Sequence, residues 1–114
     1  MIYHAHQDEA LLSQLKAQTA FYSELPFNTG DFLIIAHYKL IAHYSRVLKQ
    51  MEGQVPGHSL PEEDAYRRKE LHEEVLFQLG KVLALTSLTE EQLTQLHAFK
   101  ALHEEALHEI TNIH

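Results

Sequence analysis

Histidine is the residue type whose number and spacing in this chain could support chemistry. It occurs ten times, against nine lysines and arginines together. Two copies of the pattern K-x-L-H-E-E-[VA]-L place His72 and His103 in equivalent positions within apolar stripes, and His37 lies in a similar setting. Neutral imidazole is a common ligand of metal ions, and helical bundles often hold such sites in their cores. His72 and His103, with His37 or His108 in addition, are therefore candidate ligands of a metal ion or haem.

The surroundings of these histidines favour a structural role over a ligand role. Ferritin-like di-iron proteins repeat a Glu-x-x-His motif, which this chain contains only once, at Glu105 and His108. Glu73 and Glu104 directly follow the candidate histidines, so they point sideways from the stripe. Because the chain has no cysteine, a covalently attached c-type haem is excluded. We therefore expect no cofactor, and buried histidines that are hydrogen-bonded to other helices.

The position of each histidine along the chain predicts its height in a bundle. If one helix ends near residue 86 and the next begins near residue 90, positions whose numbers sum to about 176 lie at the same level. His72 and His103 then lie at the same level of the bundle. By the same counting, His37 lies about five residues away, or roughly 7–8 Å along the axis.

Two short motifs resemble those of known helical families. Arg67 and His72 resemble the Arg-x4-6-His motif of HEPN-type ribonucleases, which are helical bundles that act as dimers. His43 is similar to the solvent-exposed histidine of histidine phosphotransfer domains, in which a lysine follows three positions later and then a glycine. Here Arg46 and Val47 occupy those positions, so the glycine is missing. These resemblances imply RNA cleavage and phosphotransfer as minor alternatives for the function.

Length and composition limit the class of protein. The 114 residues suit one domain, and 45% hydrophobic with 22% charged residues is typical of a globular rather than a disordered chain. A net charge of −7 is unfavourable for binding nucleic acid. No apolar run is long enough for a membrane span, and the N-terminal residues lack the features of a signal peptide. We expect one cytoplasmic domain over residues 1–114 that binds neither nucleic acid nor membrane.

Four segments have the length of helices and the residues that typically begin and end them, at roughly 3–25, 31–52, 60–86 and 90–112. Pro26 and the turn residues after it end the first segment. In a capping box, a Ser or Thr and a Glu or Gln three residues later satisfy each other's backbone amides, and such boxes begin the third and fourth segments at Ser59 and Thr89. Short loops make consecutive helices antiparallel neighbours. The predicted fold is all-α, an antiparallel up-down-up-down four-helix bundle.

Each predicted helix carries an apolar stripe that would face the centre of the bundle. The stripe residues are Leu11, Leu12, Leu15, Tyr22 and Leu25; then Leu33, Ile34, Leu40, Ile41, Tyr44, Val47, Leu48 and Met51; then Ala65, Val75, Leu76, Leu79, Val82 and Leu83; and finally Leu93, Leu96, Phe99, Ala106, Leu107 and Ile110.

The second predicted helix has a further apolar strip, formed by Phe32, Ile35, Tyr38 and Ala42. A helix that is apolar on two sides needs two partners, and a four-helix bundle supplies only one of them. The strip therefore predicts a homodimer or a complex with another protein. The alternative is that the loop at 26–30 covers Phe32 and Ile35.

The sequence therefore favours a non-catalytic protein that acts by protein–protein contacts, as an adaptor, regulatory, chaperone-like or inhibitory subunit. A metal- or haem-binding bundle is the alternative. The glutamates within 62–74 are interpreted as a solvated helix face or as an acidic patch for a basic partner. Buried histidines lose hydration when charged, so we expect their pKa values to fall below about 6.5 and the fold to weaken in acid.

Overall fold

The computed structural model describes residues 5–25, 30–52, 62–85 and 88–113. These residues form four α-helices and no strand. The helices are α1 (Ala5–Ser23), α2 (Gly30–Glu52), α3 (Glu62–Leu83) and α4 (Glu90–Ile113).

Consecutive helices pack against each other along the chain, and α1 also meets α4. The side chains of Gln18 and His103 are in contact, and one turn further along α1 the ring of Phe21 contacts Phe99. Residue numbers rise along α1 while their partners' numbers fall along α4, which is consistent with an antiparallel arrangement of these two helices. The predicted all-α four-helix bundle is confirmed.

Local hydrogen bonds explain two of the helix boundaries. Thr89 and Gln92 form the predicted capping box, with the Gln92 amide donating to the Thr89 hydroxyl over 3.1 Å and the Thr89 amide donating to the Gln92 side chain over 3.0 Å. Helix α1 ends two residues earlier than predicted, because the amides of Glu24 and Leu25 bond to carbonyls three residues back. The predicted box at Ser59 lies outside the described residues.

The apolar stripes converge on one core. The side chains of Met51 and Ala65 are outside the described part of the chain, and the other predicted stripe residues are buried or half-buried. The central cluster consists of Leu15, Tyr22, Leu25, Leu33, Ala36, Leu40, Tyr44, Val75, Leu79, Val82, Leu96 and Phe99. Burial of apolar side chains from all four helices supplies the main driving force for folding.

The second strip of α2 lies outside this core. Phe32 is 68% exposed, Ile35 51% and Tyr38 60%, and Ala42 is exposed as well. The alternative cover for this strip is the loop at 26–30. Residues 26–29 of that loop lie outside the described residues, and Gly30 begins α2.

Among the described helices, none combines the length and the apolar character needed to cross a bilayer.

Candidate functional site

Three of the four helices place a histidine at the centre of the bundle. His37 on α2, His72 on α3 and His103 on α4 are all fully buried, and α1 adds Gln18, which is fully buried too. Each occupies a core-facing position between apolar residues of its own helix, so burial follows from the stripe in which it lies. Buried polar groups of this kind require hydrogen-bond partners.

The four side chains and Tyr44 form a continuous hydrogen-bonded chain, which we call the histidine chain. It begins at the backbone carbonyl of Leu33, 2.8 Å from His37 Nδ1. One end of the Gln18 amide lies 2.7 Å from His37 Nε2 and 2.8 Å from His103 Nε2. His103 Nδ1 lies 2.9 Å from His72 Nδ1, and His72 Nε2 lies 2.8 Å from the Tyr44 hydroxyl. All six ring nitrogens of the three histidines are engaged.

Burial fixes the charge of the three rings. Burial lowers the pKa of His37 from 6.5 to about 4, and the bond to the Leu33 carbonyl offsets part of this effect. For His72, burial and then the positive charge of Arg68 lower the pKa to about 3. For His103, burial and then the neighbouring imidazoles lower the pKa to about 2. At neutral pH all three rings are therefore uncharged, as the sequence predicts.

The neutral state determines which nitrogen of His37 carries its proton. A carbonyl oxygen can only accept, so His37 Nδ1 must donate its hydrogen to Leu33. A neutral ring has no second hydrogen, so His37 Nε2 accepts from the Gln18 amide.

Gln18 consequently directs its NH2 group at the rings. An oxygen at that position would accept from both His37 and His103, and His37 would then carry two protons and a buried charge. The two hydrogens of an NH2 group instead supply one donor to each ring. The opposite end of the amide is buried without a partner among the described residues. Hydrogen-bond partners are what distinguish the nitrogen of a side-chain amide from its oxygen. Here they place the nitrogen of Gln18 between the two rings.

The remaining protons follow in sequence. His103 Nε2 accepts from Gln18, so its hydrogen lies on Nδ1 and is donated to His72 Nδ1. The hydrogen of His72 then lies on Nε2 and is donated to the Tyr44 hydroxyl. Each ring donates one hydrogen bond and accepts one, and Gln18 is the single group that donates two. The histidine chain thus has one consistent neutral arrangement.

The distance between His72 and His103 is that of a hydrogen bond. Zinc–nitrogen bonds of about 2.0–2.1 Å at a tetrahedral angle would separate the two nitrogens by about 3.3 Å, whereas they lie 2.9 Å apart. Within the described residues, no group of three or more histidines or carboxylates is placed to hold a metal ion. A metal ion could therefore bind between His72 and His103 only if the hydrogen bond between their Nδ1 atoms were broken.

Other histidines that the sequence singled out lie elsewhere. His108 is exposed on α4 and does not belong to the histidine chain. His43 is only 4% exposed, and its Nδ1 accepts a hydrogen bond of 3.0 Å from Arg46. His37 and His43 are six residues apart on α2, and both are buried. His43 is buried at the α2–α3 contact, where it lines a cleft with Leu71.

These positions bear on the two motif resemblances. A phosphotransfer histidine must reach a partner protein, and His43 is buried. The histidine of the Arg67–His72 pair is fully buried, whereas Arg67 is exposed. Neither histidine is presented to solvent, so neither geometry supports the activity that its motif implies.

Sequence reasoning missed Gln18, which links three helices. The signal was present in the first apolar stripe, where Leu15 and Tyr22 are seven residues apart and Gln18 fills the intervening core position. A polar residue at such a position must find a buried partner. The predicted burial of His37 and His103 meant that their ring nitrogens also needed hydrogen-bond partners, and Gln18 could have been proposed as one.

Comparison of the chain with protein-family models, with curated proteins and with solved structures found no match.

Proposed function

We propose that this chain is a non-catalytic cytoplasmic protein that acts by binding another protein chain through the exposed strip of α2. The partner that the strip fits best is a second copy of the same chain. The observation that carries this proposal is the exposure of Phe32, Ile35 and Tyr38 on one face of a single helix.

The spacing of the strip supports a symmetric dimer. Phe32 and Tyr38 lie three residues on either side of Ile35. If two copies of α2 pack antiparallel about a two-fold axis at Ile35, Phe32 of each copy faces Tyr38 of the other. A two-fold interface requires such self-complementarity. With Ala42 the strip extends over eleven residues, or about 15 Å.

The enclosure of the histidine chain supports a binding role over catalysis by these histidines. A catalytic base must come within hydrogen-bond reach of its substrate. His37, His72 and His103 are fully buried, and protein groups already engage all of their nitrogens. Their contribution is therefore to align four helices, so that α2 presents a rigid outer face.

Replacing Ile35 with glutamate should convert the dimer to a monomer. The substitution places two carboxylates opposite each other at the two-fold axis, where burial disfavours their charge. Because Ile35 is exposed within the chain, the helix itself should remain folded. Sedimentation velocity from low to high micromolar concentration should give a mass approaching twice 13.2 kDa for the unmodified chain and 13.2 kDa for Ile35→Glu.

Phe77→Glu is the matched control for this experiment. Phe77 is also a large apolar residue, 63% exposed, but it lies on α3 outside the strip. Its replacement should leave the mass unchanged. An unmodified chain that stays monomeric at high concentration would contradict the proposal that the partner is a second copy. Equal effects of Ile35→Glu and Phe77→Glu on the mass would contradict it as well.

The pairing of His72 with His103 in the core keeps a metal- or haem-binding bundle as a second candidate. Such a ligand would have to replace the bond between the two Nδ1 atoms. Elemental analysis and a visible spectrum of untagged protein test it. We expect less than stoichiometric metal and no haem absorption. A stoichiometric metal that disappears in His103→Ala would support this second candidate over the hydrogen-bonded core.

A further inference from the structure

A cleft between α2 and α3 has a composition unlike the rest of the chain. Its volume is about 450 Å³, within the range of small-molecule sites. It is lined by Lys39, Ala42, His43, Arg46, Arg67 and Leu71.

All of the charged side chains among the described lining residues of the cleft are positive. Three of the nine lysines and arginines of the chain, Lys39, Arg46 and Arg67, meet there, and no carboxylate is among those lining residues. The chain as a whole has a net charge of −7, so this concentration of positive charge is local.

His43 holds one of these cations in place. Arg46 donates to His43 Nδ1 over 3.0 Å, and His43 is buried in the wall of the cleft. This bond restricts the guanidinium, which loses less conformational freedom when it binds an anion than a mobile side chain would. Guanidinium groups present paired donors that match the oxygens of a phosphate group.

We propose that this cleft binds a small organic phosphate. Its phosphate group would lie against Arg46, Arg67 and Lys39, and its apolar part against Ala42 and Leu71. The negative charge of the whole chain disfavours a long polyanion such as RNA, whereas a mononucleotide-sized ligand meets only the local field. The cleft shares Ala42 with the α2 strip, whereas the three cations that would bind the phosphate group lie outside that strip.

Isothermal titration of the full chain with three probes tests the proposal. We expect binding of pyrophosphate and of adenosine monophosphate, and none of adenosine, because the phosphate supplies the charge that the cleft recognises. Arg67→Gln and Lys39→Gln should each weaken binding about tenfold or more, as expected for loss of a charge-assisted hydrogen bond.

Lys81→Gln is the matched control. Lys81 is exposed on the same helix as Arg67, but it lies over the ring of Phe77 rather than in the cleft. Its removal changes the net charge equally and should leave the affinity unchanged. The proposal is overturned if neither phosphate probe binds, if adenosine binds as well as adenosine monophosphate, or if Lys81→Gln weakens binding as much as Arg67→Gln.

Discussion

Lowering the pH from about 7.5 to about 5 should remove on the order of 6 kcal/mol from the free energy of unfolding. That is a large part of the 5–15 kcal/mol that stabilises a typical domain. The effect arises from the three histidines of the core, His37, His72 and His103, whose pKa values burial lowers to about 4, 3 and 2. The bundle should therefore lose a large part of its stability in mild acid.

The direction of this effect follows from where protons bind. In the unfolded chain each histidine takes up a proton below about pH 6.5, whereas the folded protein holds all three rings neutral. The unfolded state then binds more protons, so stability is fully present above about pH 6.5 and falls as the pH drops. Each histidine contributes about 1.4 kcal/mol per pH unit until its folded pKa is reached.

Chemical unfolding at a series of pH values between 7.5 and 5 measures this loss. His97→Gln serves as a control, because His97 is exposed on α4 and its replacement leaves the three core histidines in place. A free energy of unfolding that stays constant or rises between pH 7.5 and 5 would show that the core histidines are paired with acids or are reached by solvent.

Gln18→Glu should reduce the slope of stability against pH by about 1.4 kcal/mol per unit between pH 6.5 and 5. A carboxylate accepts but does not donate, so it cannot replace the NH2 group between His37 and His103. The folded variant must take up one additional proton, which lies either on the carboxylate or on His37. In both cases the proton difference between the folded and unfolded states falls by one.

Gln14→Glu is the matched control for this substitution. Gln14 lies one turn earlier on α1 and is exposed, so its replacement adds the same charge without entering the core. We expect its slope to equal that of the unmodified chain. Equal slopes for Gln18→Glu and the unmodified chain would mean that Gln18 does not lie between the two rings.

The fold could be predicted because its signals are local. Thr89 and Gln92 mark the start of α4 in the sequence and form the predicted hydrogen bonds. Apolar residues at helical spacing identify the core-facing side of each helix. The end of α1 was less predictable, because the last turn tightens at Ser23 before Pro26 is reached.

The centre of the site was predictable in part. Counting from the loop between α3 and α4 placed His72 beside His103, and the 2.9 Å contact between their rings confirms this pairing. His37 was placed several ångströms away along the axis, yet its ring centroid lies 5.4 Å from that of His103, and Gln18 connects the two. Which side chain bridges a gap depends on packing between helices, which the spacing within one helix does not specify.

The proton arrangement of the histidine chain can be measured directly by long-range ¹H–¹⁵N NMR of the imidazole nitrogens. At neutral pH we predict three uncharged rings, with the hydrogen on Nδ1 of His37 and His103 and on Nε2 of His72. These signals should remain unchanged as the pH is lowered, until the protein unfolds. A doubly protonated ring at neutral pH, or a titration of any of the three near pH 6.5 in the folded protein, would contradict a buried and neutral histidine chain.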